Sequence, residues 1–207
     1  MDAFVVRASV PVVSFRPYLS RDYQDTYPVP PPATAFGMLL SLCGIAEAGR
    51  PDFGNTELAI MVDRVREPSP VLRRLRRDSS DDQRHGRVGY RPDYQELILG
   101  LRVWIAVRQG DAARDLADCA RDALKRPERL DRYGALSLGE STFLVDEISV
   151  FDSAPRSGIS LRPDGAGSLT LPVWVDYQDP KRTRLQRFSL EARVFSEDDF
   201  VQVGPGG

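Results

Sequence analysis

A chain of 207 residues, 42% hydrophobic and 28% charged, suits one globular domain with a sizeable core, or one domain plus an appendage. A formal net charge of -2 argues against a blanket nucleic-acid-binding surface, and one histidine and two cysteines, without a Cys-x-x-Cys motif, make no metal-ligand cluster. No apolar run approaches the roughly 20 residues that span a bilayer, and the N-terminal residues lack the marks of a signal peptide. A cytoplasmic protein with no membrane contact, no metal and no cofactor is expected. Cys43 and Cys119 sit in apolar helical patterns and read as reduced core residues.

In chain order, positions 3–13 alternate as a half-buried strand, with Phe4, Val6, Ala8 and Val10 on one face and Val5, Arg7 and Ser9 on the other. Pro28, Pro30, Pro31 and Pro32 then forbid helix and central strand, so the lead-in is extended and stiff. An apolar helical run follows through Phe36, Leu39, Leu40 and Cys43, with Thr34 as expected N-cap. It ends at the Gly49, Pro51 punctuation. A helix start aimed by prolines offers N–H groups and partial positive charge to phosphate, and Gly37 lets a ligand backbone approach. The bland alternative is a strand-to-helix connection with the helix buried in a core.

Positions 57–66 read as a second strand, which Pro68 and Pro70 break. Positions 97–107 read as a third. Between Arg64 and Arg91 lie nine arginines against four carboxylates, with Arg73, Arg74, Arg76 and Arg77 grouped beside a polar stretch, 78–86, that reads as ordered only on binding. The second and third strands thus form a hairpin with a long basic arm, and a loop of that length in a compact domain usually serves a function. Arginine is general here, since Lys125 and Lys181 are the only lysines; the local cluster carries more weight than the bias. Gln109, Gly110 and Asp111 end the third strand and cap a second helix over 112–125. A glycine-bearing loop over 133–142 precedes a fourth strand over 143–151.

This β-α-β-β-α-β order defines an α+β, ferredoxin-like (RAMP/RRM-like) domain over residues 1–151. Residues 152–207 form a small C-terminal β extension, with strands at 169–177 and 185–195, and a Gly/Pro tail from Val201. Trp104 and Trp174 read as packing residues, and Asp198 and Asp199 as a solvated acidic end. The third strand has one aromatic, Trp104, and lacks the signature of RNA-recognition motifs, so RNA contacts would come from loops.

Three motifs carry a resemblance. They are Tyr27 with its prolines and Thr34-Ala35-Phe36-Gly37 after Ser14-Phe15-Arg16, then Tyr90-Arg91-Pro92-Asp93-Tyr94 before the third strand, and Leu138-Gly139-Glu140-Ser141 before the fourth. Their order on this topology resembles the CRISPR-associated Cas-five family of the RAMP superfamily, with the I-A/I-B-like members nearest. The resemblance implies a subunit of a type I Cascade complex that caps the 5′ handle of crRNA. It implies a β-hairpin thumb at about 64–94, contacts with the backbone subunit and the large subunit, and indirect engagement of target DNA in antiviral defence. The implied RNA-binding residues are Ser14, Phe15, Arg16, Tyr18, Tyr27, Thr34, Phe36, Gly37, Arg73, Arg74, Arg76, Arg77, Arg87, Tyr90, Arg91, Gly139 and Ser141. Arginines and helix-start N–H groups suit phosphates, and tyrosines suit splayed bases.

In the I-C branch the resemblance includes a metal-independent ribonuclease with a tyrosine just before the prolines and a Lys-His pair elsewhere. Tyr27 matches that tyrosine's place, but no Lys-His pair exists, and His85 reads as a loop histidine in the arm. No catalysis is expected. The alternatives are a metal-independent endoribonuclease that processes pre-crRNA, and an unrelated ferredoxin-like ligand or assembly domain.

Overall fold

The computed structural model describes residues 3–17, 20, 23–76, 84, 90–132, 134–153 and 155–205. Tyr18, Arg77, His85 and Arg87 lie outside the described residues, as do the side chains of Arg74, Arg76, Tyr90 and Arg91. The described strands are β1 (Phe4–Val13), β2 (Tyr23–Gln24), β3 (Thr56–Val62), β4 (Ser69–Arg76), β5 (Tyr90–Arg108), β6 (Glu147–Phe151), β7 (Ile159–Pro163), β8 (Leu169–Trp174), β9 (Arg184–Ala192) and β10 (Val201–Val203). Among the described residues two α-helices, α1 (Pro32–Leu42) and α2 (Leu116–Lys125), join these strands in a mixed α+β fold.

The sheet runs in the order β6-β1-β5-β3-β7-β9-β8, with β10 beside β3 and both β2 and β4 beside β5. Neighbours along the main path are antiparallel. The helix-facing side holds Val6, Ala8, Val10, Ile60, Val103 and Ile105, which pack with Phe36, Leu39 and Leu116 in one core. Fully burying a side chain of this size contributes about 1.5–3 kcal/mol. On the reverse side Val5, Ala59, Met61 and Ala106 pack with Phe195, and Trp104 lies partly buried among them.

β5 belongs to two assemblies. Its second half lies between β1 and β3, and its first half continues outward between β4 and β2. The chain bends into this ribbon at Gly100, whose φ of +65° favours glycine. Between the last β3 pair, Val62 with Val103, and the first β4 pair, Ser69 with Leu97, the segment joining β3 to β4 carries one residue more than β5 does. That segment leaves the ladder between β3 and β4, so the two strands pair with β5 separately. The ribbon therefore reaches further along both strands than the prolines suggested: Pro70 sits in β4 opposite Glu96. Proline is tolerated on such an edge strand because one side of it has no ladder to supply.

Several boundaries differ from expectation: β3 stops at Val62, β5 begins at Tyr90 and β6 begins at Glu147. Helix α1 starts at Pro32 with Pro31 as its cap residue and no side-chain cap, so Thr34 is inside the first turn. It stops at Leu42, where Gly44 (φ +68°) lets Gly44 N–H reach Ser41 O at 3.1 Å and Ile45 N–H reach Leu40 O at 3.0 Å. A 3-10 segment, Glu47–Phe53, takes over from there. Helix α2 is capped by Asp115, not Asp111: its carboxylate accepts from Ala117 N at 2.8 Å and Asp118 N at 3.3 Å. Val201–Val203, expected in a tail, pairs with Thr56–Leu58 as β10, and Val203 is fully buried.

Asp199 also departs from expectation. It is buried and closes a capping box with Ser196, accepting from Ser196 N at 2.8 Å, with Arg193 Nε 3.9 Å away. The Ser196 N–H and the Arg193 cation offset part of its lost hydration, while its Oδ1 accepts no hydrogen bond among the described residues. Cys43 is half-buried, and that burial, with Cys119 nearby, pushes its thiol up to about 12. Among the described residues no single helix is long and apolar enough to cross a membrane.

The cap assignment is checkable by urea denaturation. Asp115→Ala costs about 1 kcal/mol, whereas Asp111→Ala stays within about 0.5 kcal/mol.

Candidate nucleic-acid interface

The prolines do position α1, by a different route from a bare helix start. Tyr27 N donates to Phe15 O at 3.0 Å, and Phe15 N donates to Thr26 Oγ1 at 2.8 Å. The segment after β1 therefore doubles back on itself before the prolines begin. Glu96 on β5 fixes the same segment, accepting from Thr26 N at 3.1 Å and from the Tyr23 hydroxyl at 2.8 Å.

The helix start offers less to an anion than the sequence promised. Pro31 and Pro32 have no N–H, and Thr34 N and Ala35 N both donate to Pro31 O, at 2.9 and 3.0 Å. Only Ala33 N is left of the donors an uncapped first turn exposes. Phe15 and Phe36 are buried in the core, where Phe36 tilts against Trp174 with ring centroids 6.1 Å apart. Neither ring is open to a base; both set the backbone around the site. Tyr27 is half-buried against the core, and burial followed by the charge of Asp25 raises its hydroxyl above the usual tyrosine range.

Two of the expected motifs meet through a glycine. Gly139 has φ +84°, and a Cβ there would lie 2.5 Å from Ser14 O and 3.1 Å from Val13. Only a bare backbone lets the 138–141 loop close onto the end of β1. The contact walls a cavity of about 220 Å³ lined by Ser14, Phe15, Arg16, Thr34, Gly139 and Glu140. Ser14 Oγ is fully buried at this wall and has no hydrogen-bond partner among the described residues. A buried hydroxyl without a partner is costly, and Ser14 carries that cost where the 138–141 loop closes onto β1.

The cavity continues into a groove. A second hollow of about 280 Å³ shares Thr34 and Gly139 with the first and adds Gly37, Ser41 and Tyr177. A third, of about 460 Å³, shares Gly37, Ser41 and Tyr177 and adds Gly44, Arg50 and Arg132. Thr34, Gly37, Ser41 and Gly44 recur at helical spacing, so a line of small residues runs along one face of α1 and its cap, beside Met38 and Leu40 in the lining. No atom lies within 4 Å of a Cβ built on Gly37, so that glycine faces open space. The small-residue spacing was legible in the sequence; Tyr177, Arg50 and Arg132 were not, because they come from distant segments. Ser141 is exposed and lies outside the groove lining.

The ribbon joins this groove through polar side chains. Arg73 on β4 donates to Gln95 Oε1, and Gln95 Nε2 donates to Glu140 Oε1 at 2.7 Å. Gln24 Nε2 donates to the buried Asp93 at 2.6 Å on the same side of the ribbon. On the opposite face Tyr23 and Tyr94 stack with centroids 6.3 Å apart, each about half exposed.

With this geometry in view, the comparisons with known proteins are specific. A chain solved in a CRISPR RNA-guided surveillance complex has the same fold at a TM-score of 0.66 and 16% identity, over 96% of this chain and 92% of that one. A second solved structure, a Cas protein, matches at a TM-score of 0.57 and 15% identity, over 99% of this chain and 100% of that one. The fold class is thus one seen in CRISPR proteins. A family model described as CRISPR-associated protein (Cas_Cas5) matches residues 4–187. The CRISPR-associated protein Cas5 of Myxococcus xanthus (strain DK1622) is 34% identical over 189 residues, 88% of this chain and 87% of its own. The chain belongs to the Cas5 family of CRISPR-associated proteins.

Two glycine substitutions separate structure from groove. Gly139→Ala lowers stability by about 1–3 kcal/mol through its positive φ and the overlap with Ser14 O. Gly37→Ala raises stability by about 0.5–1 kcal/mol, since the helix gains a better former and meets no atom. Thermal denaturation of both variants reads the difference.

Proposed function

We propose that this Cas5 chain is a non-catalytic subunit of a type I Cascade surveillance complex that binds and caps the 5′ handle of crRNA. It bridges the backbone and large subunits and so supports RNA-guided DNA targeting in antiviral defence. Membership of the Cas5 family and the fold shared with a surveillance-complex chain support this reading. The observation that carries it is the groove from Ser14 and Arg16 along the small-residue face of α1 to Arg132, open enough for an unpaired strand. Ferredoxin-like topology is part of the proposal, supported by the β6-β1-β5-β3 order and the two helices between those strands. The β4–β5 ribbon is the proposed thumb, its basic tip lying outside the described residues.

The absence of catalysis is also a proposal, and Tyr27 supports it. A tyrosine that attacks or takes a proton benefits from a lowered pKa, whereas burial and Asp25 raise this one. Its backbone N–H and its packing against the core give it a positioning role at the lead-in.

The test is fluorescence anisotropy of the chain with a repeat-derived 5′ handle RNA across a salt series, with gel analysis of the same mixtures. Binding without cleavage is expected, in magnesium and in EDTA alike. Arg16→Ala flattens the plot of log affinity against log salt by about 0.7, the loss of one single-strand phosphate contact. Gly37→Leu fills the groove floor and weakens binding at least about tenfold without unfolding. Cleavage of the RNA that disappears in Tyr27→Phe overturns the non-catalytic reading.

A further inference from the structure

The far end of the groove holds side chains that the sequence did not mark. Tyr177 is 69% exposed, a costly place for an aromatic ring. Its position is fixed all the same: Asp176 Oδ1 accepts from Gln178 N and Asp179 N, each at 2.9 Å, which locks the turn that carries it. The Arg50 guanidinium lies over two rings, 3.9 Å from the Trp174 centroid and 4.9 Å from that of Tyr177. Trp174 is itself buried and anchored to α1 through Phe36. A core tryptophan, an arginine and a surface tyrosine therefore form one stack that leads from the core to the groove wall.

Arg50 has no carboxylate within ion-pair distance and no hydrogen-bond acceptor among the described residues. Burial works against its charge, while Tyr177, Glu47 and Asp176 work for it. Arginine does not lose its proton in proteins, so a half-buried guanidinium with free N–H groups faces a cavity of about 460 Å³. Arg132 lines the same cavity and likewise has no acidic partner among the described residues. That volume falls in the ordinary range for a small-ligand site. Glu47 and Asp131 also line it. They keep phosphates to the arginine side, and carboxylates accept from the exocyclic amino groups of bases.

We propose that Tyr177, Arg50 and Arg132 form a nucleotide subsite in which one base of single-stranded RNA stacks on Tyr177 and its phosphate meets the two guanidinium groups. This rests on the reading of the groove as an RNA path and names where that path leaves α1. Stacking suits the site because every base has a π-face, and a ring already held by a cation loses little freedom on binding. The subsite lies opposite the Ser14 end, so it fixes the direction and length of strand that the groove accepts.

The experiment uses the full chain and the 5′ handle RNA carrying 4-thiouridine at each position in turn. One position is expected to photo-crosslink to the peptide that contains Tyr177. Tyr177→Ala weakens binding roughly 5- to 100-fold, the cost of one lost base stack, and Tyr177→Phe retains it. Arg132→Ala flattens the salt dependence as Arg16→Ala does, and guards against a packing effect of altering Arg50. If RNA binds, and Gly37→Leu abolishes binding while Tyr177→Ala and Arg132→Ala change nothing, the subsite is refuted and the groove reading stands. If the wild-type chain does not bind the RNA, both are refuted.

Discussion

Everything in this molecule hangs on one long strand. β5 has 19 residues, and its two halves serve different masters. The inner half is the most deeply held strand of the sheet, flanked by β1 and β3, with Val103, Ile105 and Val107 in the core. The outer half is the spine of a narrow ribbon that has no core of its own. A two- or three-stranded ribbon is marginal in water. This one is held because its spine cannot slip without dragging the register of the central sheet, which would turn a buried face to solvent. The unpaired 63–68 segment and the positive φ at Gly100 both lie at the junction of ribbon and sheet, and β5 runs through it as one strand.

The second constraint is steric. The groove exists where side chains are missing: Gly139 against Ser14, and Thr34, Gly37, Ser41 and Gly44 along one line of α1. The other faces of the helix are buried, with Ala35, Phe36, Met38, Leu39 and Leu42 in the core. The bland reading of α1 as a core helix and the functional reading as a groove floor are therefore both right, for different faces. The donors of the groove come from its walls. Prolines that pre-set the start of α1 also remove N–H groups that an anion would use, so the arginines of the walls are left to supply polar contacts.

Electrostatics follow the same division. The ion pairs at the surface, such as Arg7 with Glu147 at 2.8 Å and Arg162 with Glu191 at 3.1 Å, are exposed and add little to stability. Arg50 differs from these two in lying against two rings, Trp174 and Tyr177, with no ion pair among the described residues. Aromatic faces hold a guanidinium in place while leaving its N–H edges unspent. The inner face of the ribbon instead links a guanidinium, an amide and a carboxylate in sequence, Arg73 to Gln95 to Glu140, and so connects β4 to the lining of the first cavity.

Local chemistry was enough to place β1, β3, β6, β8, β9, the inner half of β5 and the two helices, but not β2, β4, β7 or β10. Alternation in β1, the apolar period of α1 and turn residues are properties of neighbouring positions, and backbone sterics act over that range. The N-cap of α2 was misread because two aspartates, Asp111 and Asp115, compete for it, and only the one that meets Ala117 N wins. The pairing of Val201–Val203 with β3 and the burial of Asp199 were invisible, since Gly-rich and acidic ends look alike whether or not a partner strand covers them. What tertiary structure alone decided is the meeting of Gly139 with Ser14 and of Arg50 with Trp174 and Tyr177, segments more than 100 residues apart. Periodicity reports which side of an element is buried, and it carries no term for what packs there.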